Sequence, residues 1–150
     1  MSKNQKFPLL TLKNQKGESF DMHTLLGKPF VVYFYPKDDT PGCTKQACSF
    51  RDAYEDFKDL GVPVIGVSSD SPSSHAQFAK KYNLPFTLLS DSKKELRKKA
   101  NVPTNLLGLL PGRVTYVMDK EGRVIHMFNS QMKAEQHMEE ALDALKALQS

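Results

Sequence analysis

The sequence predicts an α/β protein: a mixed β-sheet with helices on both faces, preceded by an N-terminal β-hairpin. Three observations lead there. The runs Phe30-Val31-Val32-Tyr33-Phe34-Tyr35 and Val62 to Ser68 are apolar without alternation, as central strands covered on both faces should be. An amphipathic helical stretch follows each of them. The chain then closes with two strands around Asp119-Lys120-Glu121-Gly122 and one long helix.

Taken in order, Leu9-Leu10-Thr11-Leu12 and Ser19-Phe20-Asp21-Met22 flank the turn Asn14-Gln15-Lys16-Gly17 and form the hairpin. After the strand at 30–35, a helix runs to about Leu60 and stops at Gly61. Val62 to Ser68 is the second buried strand. Ser71 caps a helix with Pro72 in its first turn, ending near Tyr82. Phe86 to Leu89 is a short strand, and Ser92 to about Ala100 a short basic helix. Arg113 to Met118 and Arg123 to Phe128 pair as a hairpin. The last helix, from about Lys133 to Leu148, carries Met138, Ala141, Leu142, Leu145 and Leu148 along one face. No linker or repeat interrupts this order, so residues 1–150 are expected to form one domain.

The composition narrows the function classes. Hydrophobic residues make up 39% and charged residues 25% of the 150, as in an ordinary globular protein. No run approaches the roughly 20 apolar residues of a membrane helix. Nothing after Met1-Ser2-Lys3-Asn4-Gln5-Lys6 resembles a secretion signal, so the expected location is the cytoplasm; a processed organelle protein would read the same way. The net charge of +4 is spread along the chain, and its one cluster, Lys93 to Lys99, fits a solvated helix face better than a nucleic-acid surface. His23, His75, His126 and His137 are scattered, which argues against zinc.

The chemistry concentrates at Thr40-Pro41-Gly42-Cys43-Thr44-Lys45-Gln46-Ala47-Cys48, which holds the only two cysteines. Cys43 stands where a strand turns into a helix. There it meets free backbone N–H groups and the positive end of the helix dipole, both of which favour a thiolate. At about 100° per residue, Ala47, Phe50, Tyr54 and Phe57 share the face of Cys43 and point at the sheet. Cys48 lies roughly 140° away, in line with Asp52, Glu55 and Asp59. Helical geometry separates the two Cα atoms by about 8 to 9 Å, beyond the roughly 7 Å reach of a disulfide. The pair bonds only if the start of the helix unwinds. Thr40 caps the helix or bonds to a reacting oxygen. Pro41 and Gly42 shape a tight turn, and Pro36 ends the strand where it can shield a thiolate from water.

The run Pro36-Lys37-Asp38-Asp39-Thr40-Pro41-Gly42-Cys43, with Cys48 five positions on and Phe50-Arg51-Asp52 behind it, resembles the active-site pattern of the peroxiredoxins. The likeness is to the bacterioferritin comigratory protein subfamily, also called peroxiredoxin Q. It extends over the hairpin, Val64-Ile65-Gly66-Val67-Ser68, and Leu110-Pro111-Gly112-Arg113-Val114-Thr115-Tyr116-Val117-Met118. It implies a thioredoxin-like fold and thiol-dependent reduction of hydrogen peroxide and organic hydroperoxides. It further implies that Cys43 is the peroxidatic and Cys48 the resolving cysteine, that Thr40 holds the peroxide, that Pro36 shields the site, and that Arg113 is the active-site arginine. Thioredoxin or a glutaredoxin would recycle an intramolecular disulfide, with no metal, flavin or haem, in a monomer. One departure stands out: Gln46 occupies a position where relatives usually carry glutamate, which removes a negative charge near the arginine.

Three other readings compete. A thioredoxin-type oxidoreductase normally has two residues between its cysteines, not four. A redox-sensing binding protein would use the same disulfide to switch a surface, and a zinc-bound structural module would hold stoichiometric metal. Leu106, Leu107, Leu109 and Leu110 are either the rim of a pocket favouring alkyl hydroperoxides or ordinary core.

Overall fold

The computed structural model describes residues 1–102, 104–105, 110–130 and 133–149. The side chains of Leu106, Leu107, Leu109 and Leu110 lie outside the described residues, and the pocket-rim expectation with them.

Chain order is β1 (Thr11–Asn14), β2 (Ser19–Asp21), a 3₁₀ turn at Met22–Leu25, β3 (Phe30–Phe34), α1 (Pro41–Asp52), α2 (Tyr54–Asp59), β4 (Val64–Ser68), α3 (Pro72–Tyr82), β5 (Thr87–Ser90), α4 (Glu95–Lys99), β6 (Thr104–Asn105), β7 (Leu110–Pro111), β8 (Val114–Met118), β9 (Val124–Asn129) and α5 (Gln136–Gln149). Seven strands form one sheet in the order β2-β1-β5-β4-β3-β8-β9, and β6 pairs with β7. The central strands β3, β4 and β5 run parallel, while β1, β8 and β9 join antiparallel. This is the mixed, helix-flanked sheet and N-terminal hairpin expected of a thioredoxin-like fold.

Side-chain alternation along β3 divides the interior in two. Val31, Tyr33 and Tyr35 join Cys43, Ala47, Phe50 and Phe57 of the following helices, with Phe78, Ala141 and Leu145, in one buried cluster. Phe30, Val32 and Phe34 face the other way, toward Phe7, Met22, Leu96, Val114 and Tyr116. The stripe containing Cys43 therefore faces the sheet, and Asp52, Glu55 and Asp59 on the Cys48 side are exposed.

One expectation needs correction. The helix after β3 does not run unbroken to Leu60 but divides at Ala53 (φ −96°, ψ 6°) into α1 and α2. The ladder tightens there, because the Ala53 carbonyl accepts from Asp56 N, three residues on, as well as from Phe57 N. Gly61, at φ +72°, supplies the left-handed residue that ends α2.

Strand register brings the site together. Phe34 at the end of β3 lies opposite Val114 at the start of β8. Arg113 thus enters its strand at the edge where the chain leaves β3 toward Cys43, although the two residues are 70 positions apart.

Candidate active site

Cys43 is the third residue of α1 and is buried, with 1% of its surface exposed. The first bond of the helical ladder is donated by Thr44 N to Thr40 O at 2.8 Å. The N–H groups of Gly42 and Cys43 therefore precede the ladder, at the positive end of the helix. Arg113, also buried, donates from Nη2 to Cys43 Sγ at 3.3 Å and from Nη1 to Gln46 Oε1 at 2.5 Å. Gln46 lies one turn after Gly42 and has no exposed surface. It holds the arginine through a neutral oxygen, so the missing carboxylate leaves a hydrogen bond in place but no ion pair. Gly42 makes room for this arrangement: a Cβ there would lie 2.9 Å from Arg113 Nη2.

Behind the arginine, Thr115 Oγ1 lies 2.7 Å from His137 Nδ1, and His137 Nε2 lies 2.8 Å from the Ser130 carbonyl. A carbonyl only accepts, so Nε2 carries the proton and Nδ1 accepts from the threonine hydroxyl. Burial lowers the His137 pKa to about 4, partly offset by the Ser130 carbonyl and reinforced by the charge of Arg113. The histidine is neutral and packs edge-on against Phe128.

Thr40 is the N-cap residue by backbone conformation, but its side chain makes no capping bond. Its hydroxyl donates to Lys37 O at 2.9 Å, which leaves the oxygen lone pairs as acceptors. The plain helix cap is therefore not what Thr40 provides. Pro36 is half-buried at the exit of β3. An open groove of about 530 Å³, lined by Pro41, Gly42, Lys45, Lys133, Gln136 and Glu139, reaches the first turn of α1 between the starts of α1 and α5.

The loop from Pro36 to Thr40 is fixed by residues that the sequence reading passed over. Asp38 is buried and accepts from Tyr35 Oη at 2.5 Å and Ser74 Oγ at 2.8 Å. Its Oδ2 also lies 2.7 Å from His75 Nδ1. The other ring nitrogen of His75 donates to the Leu89 carbonyl at 2.9 Å. Asp38 N donates to Asp70 Oδ2, which also accepts from Ser68 Oγ. Among the described residues, Asp38, Asp70 and His75 are the one group able to hold a metal ion. The hydrogen bonds just named account for their closeness. The signal that would have found His75 is its helical spacing with Phe78 and Tyr82, which turns it inward.

Cys48 is half-buried and, like Cys43, a free thiol. The structure brings Cys43, Gln46 and Arg113 into contact. It places Thr40 and Pro36 on the adjoining loop, and Cys48 on another face of the same helix. Gly42, Asp38 and His75 complete the surroundings.

Several known proteins are similar to this chain. Residues 4–127 match the AhpC/TSA family. The chloroplastic peroxiredoxin Q of Populus jackii is 55% identical over 148 residues, covering 99% of this chain and 70% of its own. That of Sedum lineare is 55% identical over 141 residues, covering 94% and 76%. Among solved structures, the peroxidoxin BcpB of Mycobacterium tuberculosis matches with a TM-score of 0.91 at 33% identity, over 100% of this chain and 99% of that one. A bacterioferritin comigratory protein of Xanthomonas campestris, described for its alkyl peroxide reduction, matches with a TM-score of 0.85 at 32% identity, over 94% and 92%.

Proposed function

Because the chain belongs to the AhpC/TSA family and is a peroxiredoxin peroxidase of the peroxiredoxin Q kind, we propose that Cys43 is its peroxidatic thiol and Cys48 the resolving one. The observation that carries this reading is the buried Arg113 guanidinium, 3.3 Å from Cys43 Sγ and held by Gln46. A fixed positive charge beside a thiol at a helix N-terminus stabilises the thiolate.

In the proposed cycle, a hydroperoxide reaches Cys43 beside Thr40 and Pro36. Thr40 Oγ1, whose own proton goes to Lys37 O, accepts the O–H of the peroxide. The Cys43 thiolate attacks the terminal oxygen, an S–O bond forms and the O–O bond breaks. The charge that develops on the leaving oxygen meets Arg113 and the Cys43 N–H, a stabilisation of the oxyanion-hole kind. The leaving oxygen takes a proton and departs as alcohol or water, while Cys43 is oxidised to sulfenic acid. The first turns of α1 then open, and the Cys48 thiolate attacks the sulfenic sulfur. An S–S bond forms and hydroxide leaves as water. A dithiol partner, thioredoxin or a glutaredoxin, reduces the disulfide by exchange and is itself oxidised. The cycle needs no cofactor and no second chain, so a monomer of one domain suffices. It belongs in a thiol-reducing compartment, either the cytoplasm or the chloroplast interior for which the plant relatives are named.

Peroxide consumption by wild type, Cys43→Ser and Cys48→Ser tests the reading, first with a thioredoxin system and then with a small dithiol. We expect Cys43→Ser to be inactive and Cys48→Ser to turn over only with the small dithiol. Wild-type activity in Cys43→Ser would overturn the assignment.

A further inference from the structure

The segment carrying both cysteines is tied at its two ends to a single residue. Upstream, Tyr82 Oη donates to Asp39 Oδ1 at 2.6 Å, and the neighbouring Lys81 Nζ donates to Asp39 Oδ2 at 2.8 Å. Downstream, Arg51 Nη1 donates to the Tyr82 carbonyl at 2.8 Å. Tyr82 is itself the last residue of α3, a helix fixed in three places. Ser71 caps it through Ser74 N, His75 is buried between Asp38 and Leu89, and Phe78 is buried with its ring edge-on to Tyr82 at 5.4 Å. α3 is therefore a firm post beside the active-site helix.

We propose that Tyr82 is a positioning residue that delimits the opening of the active-site helix, holding Asp39 and Arg51 in place while residues 40–49 unwind between them. This rests on the two-cysteine cycle above, since only disulfide formation requires the helix to open. Cys43 and Cys48 both lie inside the delimited segment, and Phe50, stacked on Tyr33 at 4.7 Å, secures its downstream end from the core side. Pinned ends leave the freed backbone few conformations to search before the helix re-forms. Doubling the length of an open segment slows its re-closure by about threefold on loop-closure entropy alone.

The test is peptide-level amide exchange on the reduced and peroxide-oxidised protein, compared among three chains. One is wild type, one carries Tyr82→Phe with Lys81→Met, and one carries Arg51→Met. Tyr82→Phe keeps the ring packing, so the variant folds. In oxidised wild type we expect protection to be lost over residues 40–49 and retained on both sides. The Tyr82/Lys81 variant should lose protection upstream, over 37–39, and the Arg51 variant downstream, over 50–60. Each should move only its own boundary. Pulse labelling after rapid reduction should show re-closure slower by about 1.5-fold in the Tyr82/Lys81 variant, whose open segment grows by three residues, and by about threefold in the Arg51 variant, whose open segment about doubles, with the rate of the peroxide step unchanged. A general loss of stability would move both boundaries together and overturn the proposal, as would boundaries identical to wild type in both variants. If oxidised wild type contains no Cys43–Cys48 disulfide by mass and thiol count, the two-cysteine cycle fails and this inference with it; a disulfide with unmoved boundaries sinks the inference alone.

Discussion

Arg113 spans Gln46 and Cys43 with the two terminal nitrogens of one guanidinium, at 2.5 and 3.3 Å. The position of the charge beside the sulfur thus depends on a neutral side chain one turn further along the same helix. Replacing Gln46 by leucine leaves a buried cationic N–H unpaired and frees the arginine to turn. A hydrogen bond to a charged group contributes roughly 1.5 to 3 kcal/mol. We expect the second-order rate constant for Cys43 oxidation to fall roughly tenfold to a hundredfold, measured by stopped-flow peroxide reduction. Gln46→Glu retains the hydrogen bond and should stay well above Gln46→Leu.

Gly42→Ala should separate activity from stability. The added Cβ would lie 2.9 Å from Arg113 Nη2, and the guanidinium can yield only by leaving the sulfur. Within a helix, alanine is favoured over glycine by up to about 1 kcal/mol. The helix gain and the lost hydrogen bond oppose one another, so the melting temperature should shift by only a few degrees, while the peroxide step should lose at least roughly tenfold, on the scale of one charge-assisted hydrogen bond. Unchanged activity would mean that the arginine adapts without loss.

His137 makes the fold sensitive to acid. Its pKa is about 4 when folded, against 6.5 when free, so below pH 6.5 the unfolded chain binds a proton that the folded chain refuses. The associated stability is full above pH 6.5, declines as the pH falls, and is gone below about pH 4. A shift of this size corresponds to about 3 kcal/mol. Urea unfolding at pH 7.5, 5.5 and 4 should trace the decline. In His137→Gln the part due to this residue should vanish.

Removing one member of the Asp38–His75 pair should cost more than removing both. The two side chains are almost wholly buried, so His75→Leu strands a carboxylate in the core. Breaking a buried pair from one side costs roughly 3 to 5 kcal/mol. The Asp38→Asn/His75→Leu double variant should recover part of that loss in denaturant unfolding. Strict additivity would show that the pair does not act as a unit.

The strand-to-helix placement of Cys43 was legible from local signals: an apolar strand, a proline-glycine turn and an apolar helical stripe. The same signals gave the opposed faces of Cys43 and Cys48. The break at Ala53 left no such trace, because Phe50 and Phe57 continue one stripe across it. Arg113 was visible only through family resemblance, since its contact with Gln46 spans 67 positions and depends on how β3 pairs with β8. Asp38 and His75, 37 positions apart, escaped for the same reason. A sequence read for periodicity shows which way a side chain faces, but not which distant side chain it will meet.

The two halves of α1 are gripped differently. Its beginning is held by polar contacts at Thr40, Gln46 and Arg113, its end by the rings of Tyr33 and Phe50. Heat capacity on opening follows the apolar surface exposed, and the first turns expose mainly Cys43 and Ala47. Their opening should therefore carry a small heat-capacity change and vary almost linearly with temperature, while global unfolding follows the usual dome. The opening that the proposed resolving step requires thus drifts in one direction with temperature, without a maximum, while the stability of the whole fold rises and falls.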